Sequence, residues 1–177
     1  YAEFAADYIV RRDPSGRWCD WTGSQYVNPL AGVNDAVKVI KEAPNGDIYI
    51  GGHFTSAGGV DGTYKIARWS KANQVWEGLG VSGSGDEGIT CMAFDANGDL
   101  YIGGYFHNFA GVTDANFIAK YKVSNGTWSK VGTGIDDTVT AIEIAPNGTI
   151  YIGGAFTTAG GNDNCNRIAY FDKTANN

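Results

Sequence analysis

Short apolar runs, broken by clusters of Gly, Asn, Asp and Pro, follow one another from residue 37 to the end of the chain. They are rich in β-branched and aromatic residues and none sustains a helical period, so each predicts a strand. Aligned on one another, the runs recur in an order of four. Strand A covers 37–40, 89–92 and 139–142, and strand B covers 47–54, 99–106 and 149–156. Strand C covers 66–69, 118–121 and 168–171, and strand D is centred on Trp76 and Trp128. Near the N-terminus, the segment 9–12, a turn at 13–16 and Trp18 repeat the C–turn–D half of this order, with a turn one residue shorter.

One phrase sets the register of these runs. Asn-Gly-x-Ile/Leu-Tyr-Ile-Gly-Gly-x-Phe occurs at 45–54, 97–106 and 147–156, at spacings of 52 and 50 residues. A fixed period of this length marks a repeat architecture. Asn-Gly between two hydrophobic runs predicts that A and B pair antiparallel through a type I′ turn, in which both residues take positive φ. The double glycines at 51/52, 103/104 and 153/154 interrupt a strand where side chains are normally wanted. They predict a bulge, a sharp bend or a close backbone approach.

The segments read C-D, A-B-C-D, A-B-C-D, A-B-C. Four-stranded meanders at this period predict an all-β fold of β-propeller-type repeats with four-stranded antiparallel blades. The chain is one module, 1–177, made of a partial unit 8–36, units 37–88 and 89–138, and a partial unit 139–177. A closed propeller has about four to eight blades, against about three and a half units here. Further repeats in a parent chain, association of copies, or an open arc capped by a partner would each supply the difference. The strand at Trp18 could complete the last unit, which leaves the strand at 9–12 surplus. A first residue of Tyr1 fits a piece of a longer or processed protein.

Composition narrows the class further. With 43% hydrophobic and 18% charged residues the chain can bury a sizeable core, and its 26 glycines recur at fixed repeat positions, as turns and bulges would. A net charge of −6 without a Lys/Arg-rich stripe excludes a nucleic-acid partner. No apolar run reaches the roughly 18–20 residues of a membrane helix, so no membrane insertion is expected. Cys19, Cys91 and Cys165 are odd in number and fall at different repeat positions, which implies no disulfide framework. Cys91 aligns with Val39 and Ala141 and reads as a small buried residue, whereas Cys19 and Cys165 could be free or paired.

The stretch Tyr-Ile-Gly-Gly-x-Phe-Thr-x-Ala-Gly-Gly at 49–59, then Ile-Ala-x-Trp at 66–69 and Trp-x-x-Leu-Gly at 76–80, resembles the kelch-like "delta-sixty" repeats of galactose-oxidase-type propellers. The likeness covers about residues 37–177 and, more loosely, 8–36. It implies a propeller, and such repeats are common in bacterial surface proteins and in bacteriophage tail or virion proteins. One fold hosts unrelated activities, so it implies little about chemistry. The middle copy has Phe109-Ala110-Gly111 where the others have Ala-Gly-Gly, and alanine accepts positive φ less readily.

Residues repeated in every unit are expected to be structural, because each blade must make the same contacts. Tyr49, Tyr101 and Tyr151 then pack between blades, and Trp18, Trp76 and Trp128 bury their rings. Function is expected where copies differ: His53, Tyr105 and Ala155 share one position, and His107, Asn108, Phe109, Asp61, Asp114 and Asp163 lie in neighbouring loops. Asp95-Ala-Asn97-Gly-Asp99 imitates the start of a calcium loop but lacks the downstream Glu and reads as a turn. The histidines, His53 and His107, have no zinc-like spacing. The pairs Asp86-Glu87 and Asp136-Asp137 could serve a two-carboxylate hydrolase, but both lie in Gly-rich connections where solvated turn residues are common.

The expectation is therefore a non-enzymatic structural and binding module, extracellular or on a virion or cell surface, with no catalytic or metal-ligating residues and no cofactor. Its partners would be other subunits of a larger assembly and surface glycans, held by His53, Tyr105, His107, Trp69 and Trp21. The alternative is a fragment of a propeller-type hydrolase or oxidase whose catalytic groups lie partly elsewhere. A third reading is a purely architectural assembly protein.

Overall fold

The structure, a computed structural model, describes residues 11–12, 14–15, 18–19, 32–83 and 88–172. The described residues form a two-stranded ladder and three meanders. The ladder pairs β1 (Arg11–Arg12) with β2 (Trp18–Cys19), as the C–turn–D reading expects. The first sheet runs β3 (Val37–Glu42), β4 (Ile48–Gly52), β5 (Ile66–Ser70), β6 (Val75–Gly78). The second runs β7 (Gly88–Phe94), β8 (Leu100–Tyr105), β9 (Ile118–Lys122), β10 (Thr127–Lys130). The third has β11 (Val139–Ile144), β12 (Ile150–Gly154) and β13 (Ile168–Phe171), and no fourth strand among the described residues. Every pairing is antiparallel between sequence neighbours. All four predicted strand types lie where the repeat places them, within a residue or two at most ends.

Alternation along the strands gives each sheet two apolar faces, and the sheets stack face to face. Tyr49 and Ile66 point from the first sheet into a cluster with Ile89, Met92, Leu100 and Ile102 of the second. Tyr101 and Ile118 point from the second toward Val139, Ile142, Ile150 and Ile152 of the third. The edge of Phe94 meets the Tyr49 ring at 5.2 Å across the first of these interfaces. Thr90 Oγ1 donates to Val139 O at 2.7 Å across the second, and Trp128 Nε1 donates to Leu79 O at 2.9 Å across the first. A sheet covered on both faces buries nearly every residue of its inner strands, which is why β7 and β8 are apolar apart from Thr90.

The double glycines make close approaches, as expected. A Cβ on Gly52, Gly104 or Gly154 would stand 2.0–2.1 Å from the carbonyl oxygen of Ala36, Gly88 or Thr138. Opposite them strand A carries the bulge: the register shifts between Val37 and Val39, Ile89 and Cys91, and Val139 and Ala141. The bulge therefore sits on the partner strand, and the glycines admit its displaced carbonyl.

The A–B turn differs from the type I′ expectation. Gly46, Gly98 and Gly148 take φ of 84°, 79° and 88°, whereas Asn45, Asn97 and Asn147 are not among the positive-φ residues. Gly46 N donates to Ala43 O and Ala43 N donates to Asp47 O, a three-residue loop with a closing bulge at glycine. Pro44 supplies the φ that the first central position wants, and the Asn45 side chain accepts from Asp47 N at 3.0 Å. In the middle copy Asp95 Oδ1 accepts from Asn97 N and Asp99 N, so the calcium-like sequence is a turn whose carboxylate is engaged by backbone.

Candidate binding site

The B–C loops begin and end at one edge of each sheet, and there the three copies share a backbone while their side chains diverge. Lys65, Phe117 and Arg167 all take positive φ, at 62°, 60° and 69°. Their amides donate to the carbonyls of Phe54, Phe106 and Phe156, and their carbonyls accept from Gly52, Gly104 and Gly154. This bonding fixes the conformation without a glycine, leaving the side chain free to vary. The positions 53, 105 and 155, already singled out in sequence, lie just beyond the same glycines. Two variable positions per blade are thus held on one scaffold.

On the second sheet they build an aromatic cluster. Tyr105, half exposed at 50%, meets the edge of His107 at 5.6 Å and the Phe117 ring at 6.1 Å. His107 stands edge-on to Phe117 at 4.8 Å, and Phe117 itself is buried. The loop beneath is braced: Asn108 N donates to Asn116 Oδ1, and Asp114 N to Asn108 Oδ1. His53 approaches the cluster from the first sheet. A Cβ on Gly88 would lie 2.8 Å from His53 Cε1, and Gly88 is the register partner of Tyr105. Lys65, buried at 4% exposure, donates its Nζ to His53 O at 2.8 Å and lies over the Tyr64 ring.

Of the residues expected to bind, Tyr105 and His107 therefore meet at one edge, and His53 lies against Gly88, the strand neighbour of Tyr105. Trp69 does not join them: it is 6% exposed and packs edge-on against Trp76 at 5.3 Å, a core residue with no free face. Trp21 lies outside the described residues, as do Asp86 and Glu87. Lys65, Phe117 and Arg167 were missed, because nothing in composition flags a non-glycine positive φ; comparing the residue before Ile-Ala across copies would have found them.

The acidic pair at 136–137 has a structural task. Asp136 accepts from Thr157 N and Thr158 N at 2.9 Å each and from Thr157 Oγ1 at 2.8 Å, tying the B–C loop to the connection before β11. The amide of Thr158, then the Thr157 hydroxyl, hold its pKa below the ordinary value. Asn34 makes the corresponding bonds to Thr55 and Ser56 in the first unit. Among the described residues no group of three or more His, Cys, Asp or Glu is placed to hold a metal ion. Cys91 and Cys165 are free thiols, and burial pushes the Cys91 thiol up to about 11.

Radially stacked four-stranded meanders with covered inner strands define a β-propeller. The model of the Rax2 C-terminal beta propeller domain family matches residues 70–177, and the chain belongs to that family. Among solved structures it is similar to PorZ, a bacterial surface component of the type-IX secretion system of Porphyromonas gingivalis, at 17% identity and a TM-score of 0.50, over 94% of this chain and 25% of that one. It is also similar to the extracellular domain of a one-component system protein of B. thetaiotaomicron, at 16% identity and a TM-score of 0.47, over 68% of this chain and 14% of that one. The chain thus spans a quarter or less of the length of these structures. No curated protein matches it.

Proposed function

We propose that the chain is a non-enzymatic binding module exposed at a cell or virion surface, and that the Tyr105–His107–Phe117 edge recognises glycans. The observation that carries this reading is the pair of variable positions per blade on a shared backbone, which on the middle sheet sets the exposed Tyr105 and His107 rings against the buried Phe117. Rigid scaffolds with divergent loops are where binding residues concentrate. Exposed Tyr and His rings offer flat apolar faces with polar tips, which suit the C–H face of a sugar and its hydroxyls. The surface placement is supported by the type of protein to which PorZ belongs, and the virion and kelch-like readings by the repeat phrase alone. Binding without catalysis is favoured because Asp136, one half of the acidic pair weighed for hydrolysis, is engaged in bracing a loop.

A glycan array probed with the chain, followed by titration of any hit against Tyr105→Ala and His107→Ala, tests the assignment. Each change is expected to weaken binding by about tenfold or more, the worth of about 1.4 kcal/mol of lost contact. Binding that survives both changes would move the site elsewhere.

A further inference from the structure

Buried charge among the described residues is compensated, with one exception. Asp99 accepts from Lys120 Nζ at 2.7 Å, Asp47 lies 3.9 Å from the Arg68 guanidinium, and Asp95 accepts from the amides of Asn97 and Asp99. The exception is Lys65. It is 4% exposed, more deeply buried than Arg68 or Lys120, yet it faces no carboxylate among the described residues. Its Nζ donates to His53 O and lies 4.8 Å from the centre of the Tyr64 ring. An ammonium has three N–H donors, so this single bond leaves capacity for an acceptor that the described residues do not supply.

The charge sits at the joint between two blades. Lys65 occupies in the first blade the frame that Phe117 occupies in the second, so a cation stands where the aromatic cluster has its buried ring. The imidazole beside it reaches across the joint. A Cβ on Gly88 would lie 2.8 Å from His53 Cε1 and 3.1 Å from both ring nitrogens. Gly88 and Tyr105 are directly opposed in the ladder, and opposed residues share a face with Cβ atoms about 4.5–5.5 Å apart. His53 and Tyr105 are therefore neighbours on one face. The backbone at this place accepts a side chain, since Ala36 and Thr138 hold it in the other blades. Glycine at 88 admits the imidazole.

We infer that the ligand of this edge is an acidic glycan, its sugar ring against Tyr105 and its carboxylate or sulfate group at His53, drawn there by the charge of Lys65. The inference rests on the glycan reading of the Tyr105 edge. A buried charge without a partner is costly, and an anion arriving from outside offsets that cost. Salt screens such a charge weakly, and His53 offers a ring N–H to the same anion. The chain as a whole carries a net charge of −6, so attraction for an anion is local to this joint and selects by position.

Biolayer interferometry on two pairs of immobilised polysaccharides tests this: polygalacturonate with its methyl ester, and dextran sulfate with dextran. Within at least one pair the acidic member is expected to bind about tenfold or more tighter than the neutral one, the worth of one charge-assisted contact. The pair that shows the preference tells carboxylate from sulfate. Lys65→Met, similar in length and without charge, is expected to abolish the preference and leave binding of the neutral member unchanged, whereas Lys65→Arg keeps it. Tyr105→Ala is expected to weaken both members of a pair alike. Equal binding of acidic and neutral members by the wild type, which needs no variant to fold, would overturn the inference and leave the glycan site standing. So would a preference that persists in a folded Lys65→Met chain, or failure to bind any of the polysaccharides while neutral glycans on the array are held through Tyr105. Binding indifferent to Tyr105→Ala would sink the glycan site and this inference together.

Discussion

Ala110 holds φ 54° and ψ 28°, a left-handed conformation that its counterparts Gly58 and Gly160 reach without a side chain, at 58° and 64°. The loop keeps its shape despite the substitution: Val112 N donates to Phe109 O as Val60 N does to Ala57 O. Phe109 compensates by burying its ring against Phe106 and Trp128, at 4.7 and 4.9 Å. A left-handed L-residue costs about 1–2 kcal/mol, and glycine returns part of that gain by loosening the unfolded chain. Ala110→Gly is therefore expected to raise stability by about 0.5–1 kcal/mol, read as a shift of the urea midpoint at unchanged slope. A fall in the midpoint would show that the loop tolerates alanine without strain. Residue by residue, this loop was half legible: the departure from Ala-Gly-Gly was visible, but the ring burial that lets the backbone keep its course was not.

Between elements, charge is placed where strands pair. Arg68 on β5 and Glu77 on β6 are register partners and form a hydrogen-bonded ion pair, with Asp47 a further 3.9 Å from the guanidinium. Burial opposes the charge on Arg68, yet the bonds with Glu77 keep its pKa above the ordinary value. The Tyr49 hydroxyl lies near the same guanidinium without the geometry of a hydrogen bond, and desolvation raises its pKa. Arg68 in turn holds the Glu77 carboxyl below its ordinary 4.5. A carboxylate depressed in the folded state stabilises above its unfolded pKa, so this contribution is complete above pH 4.5 and is lost as the pH falls below it. Urea midpoints followed downward through that window should fall more steeply for the wild type than for Glu77→Gln; parallel curves would mean that the pair adds nothing. The pair is partly solvated, which keeps its effect small. Strand positions were legible because Tyr-Ile-Gly-Gly fixes them three times. The turn type was not, since Asn-Gly signals a hairpin but Asp47 O, one residue beyond, closes it. Trp69 misled for a related reason: alternation marks one face as polar only when that face meets water, and here both faces of the sheet are covered.

Over the whole molecule, stability is unevenly spread. In the first and second sheets Trp76 and Trp128 fill the space beside Trp69 and Tyr121. Beside Phe171, their counterpart in the third, a groove of about 510 Å³ opens, lined by Val131, Ile152, Cys165 and Ala169. Ile168, 70% exposed, forgoes much of the roughly 2 kcal/mol that burial gives Ile66 and Ile118. Amides of β13 should exchange hydrogen at least about tenfold faster than those of β9, equivalent to opening that is easier by about 1.4 kcal/mol. Equal protection, measured by mass spectrometry of peptic fragments, would show that the third sheet is supported in another way. The repeat made the sheets legible from sequence, but not which faces would be left bare, because burial depends on neighbours that a single unit does not contain. The common backbone at 53/65, 105/117 and 155/167 bears on valence. Since Ala155 and Arg167 occupy the same frame as Tyr105 and Phe117, a few substitutions can copy one blade's ligand chemistry onto the next. Blades that share a frame but not a binding surface can thus change avidity, or acquire a second specificity, without redesign of the strands beneath.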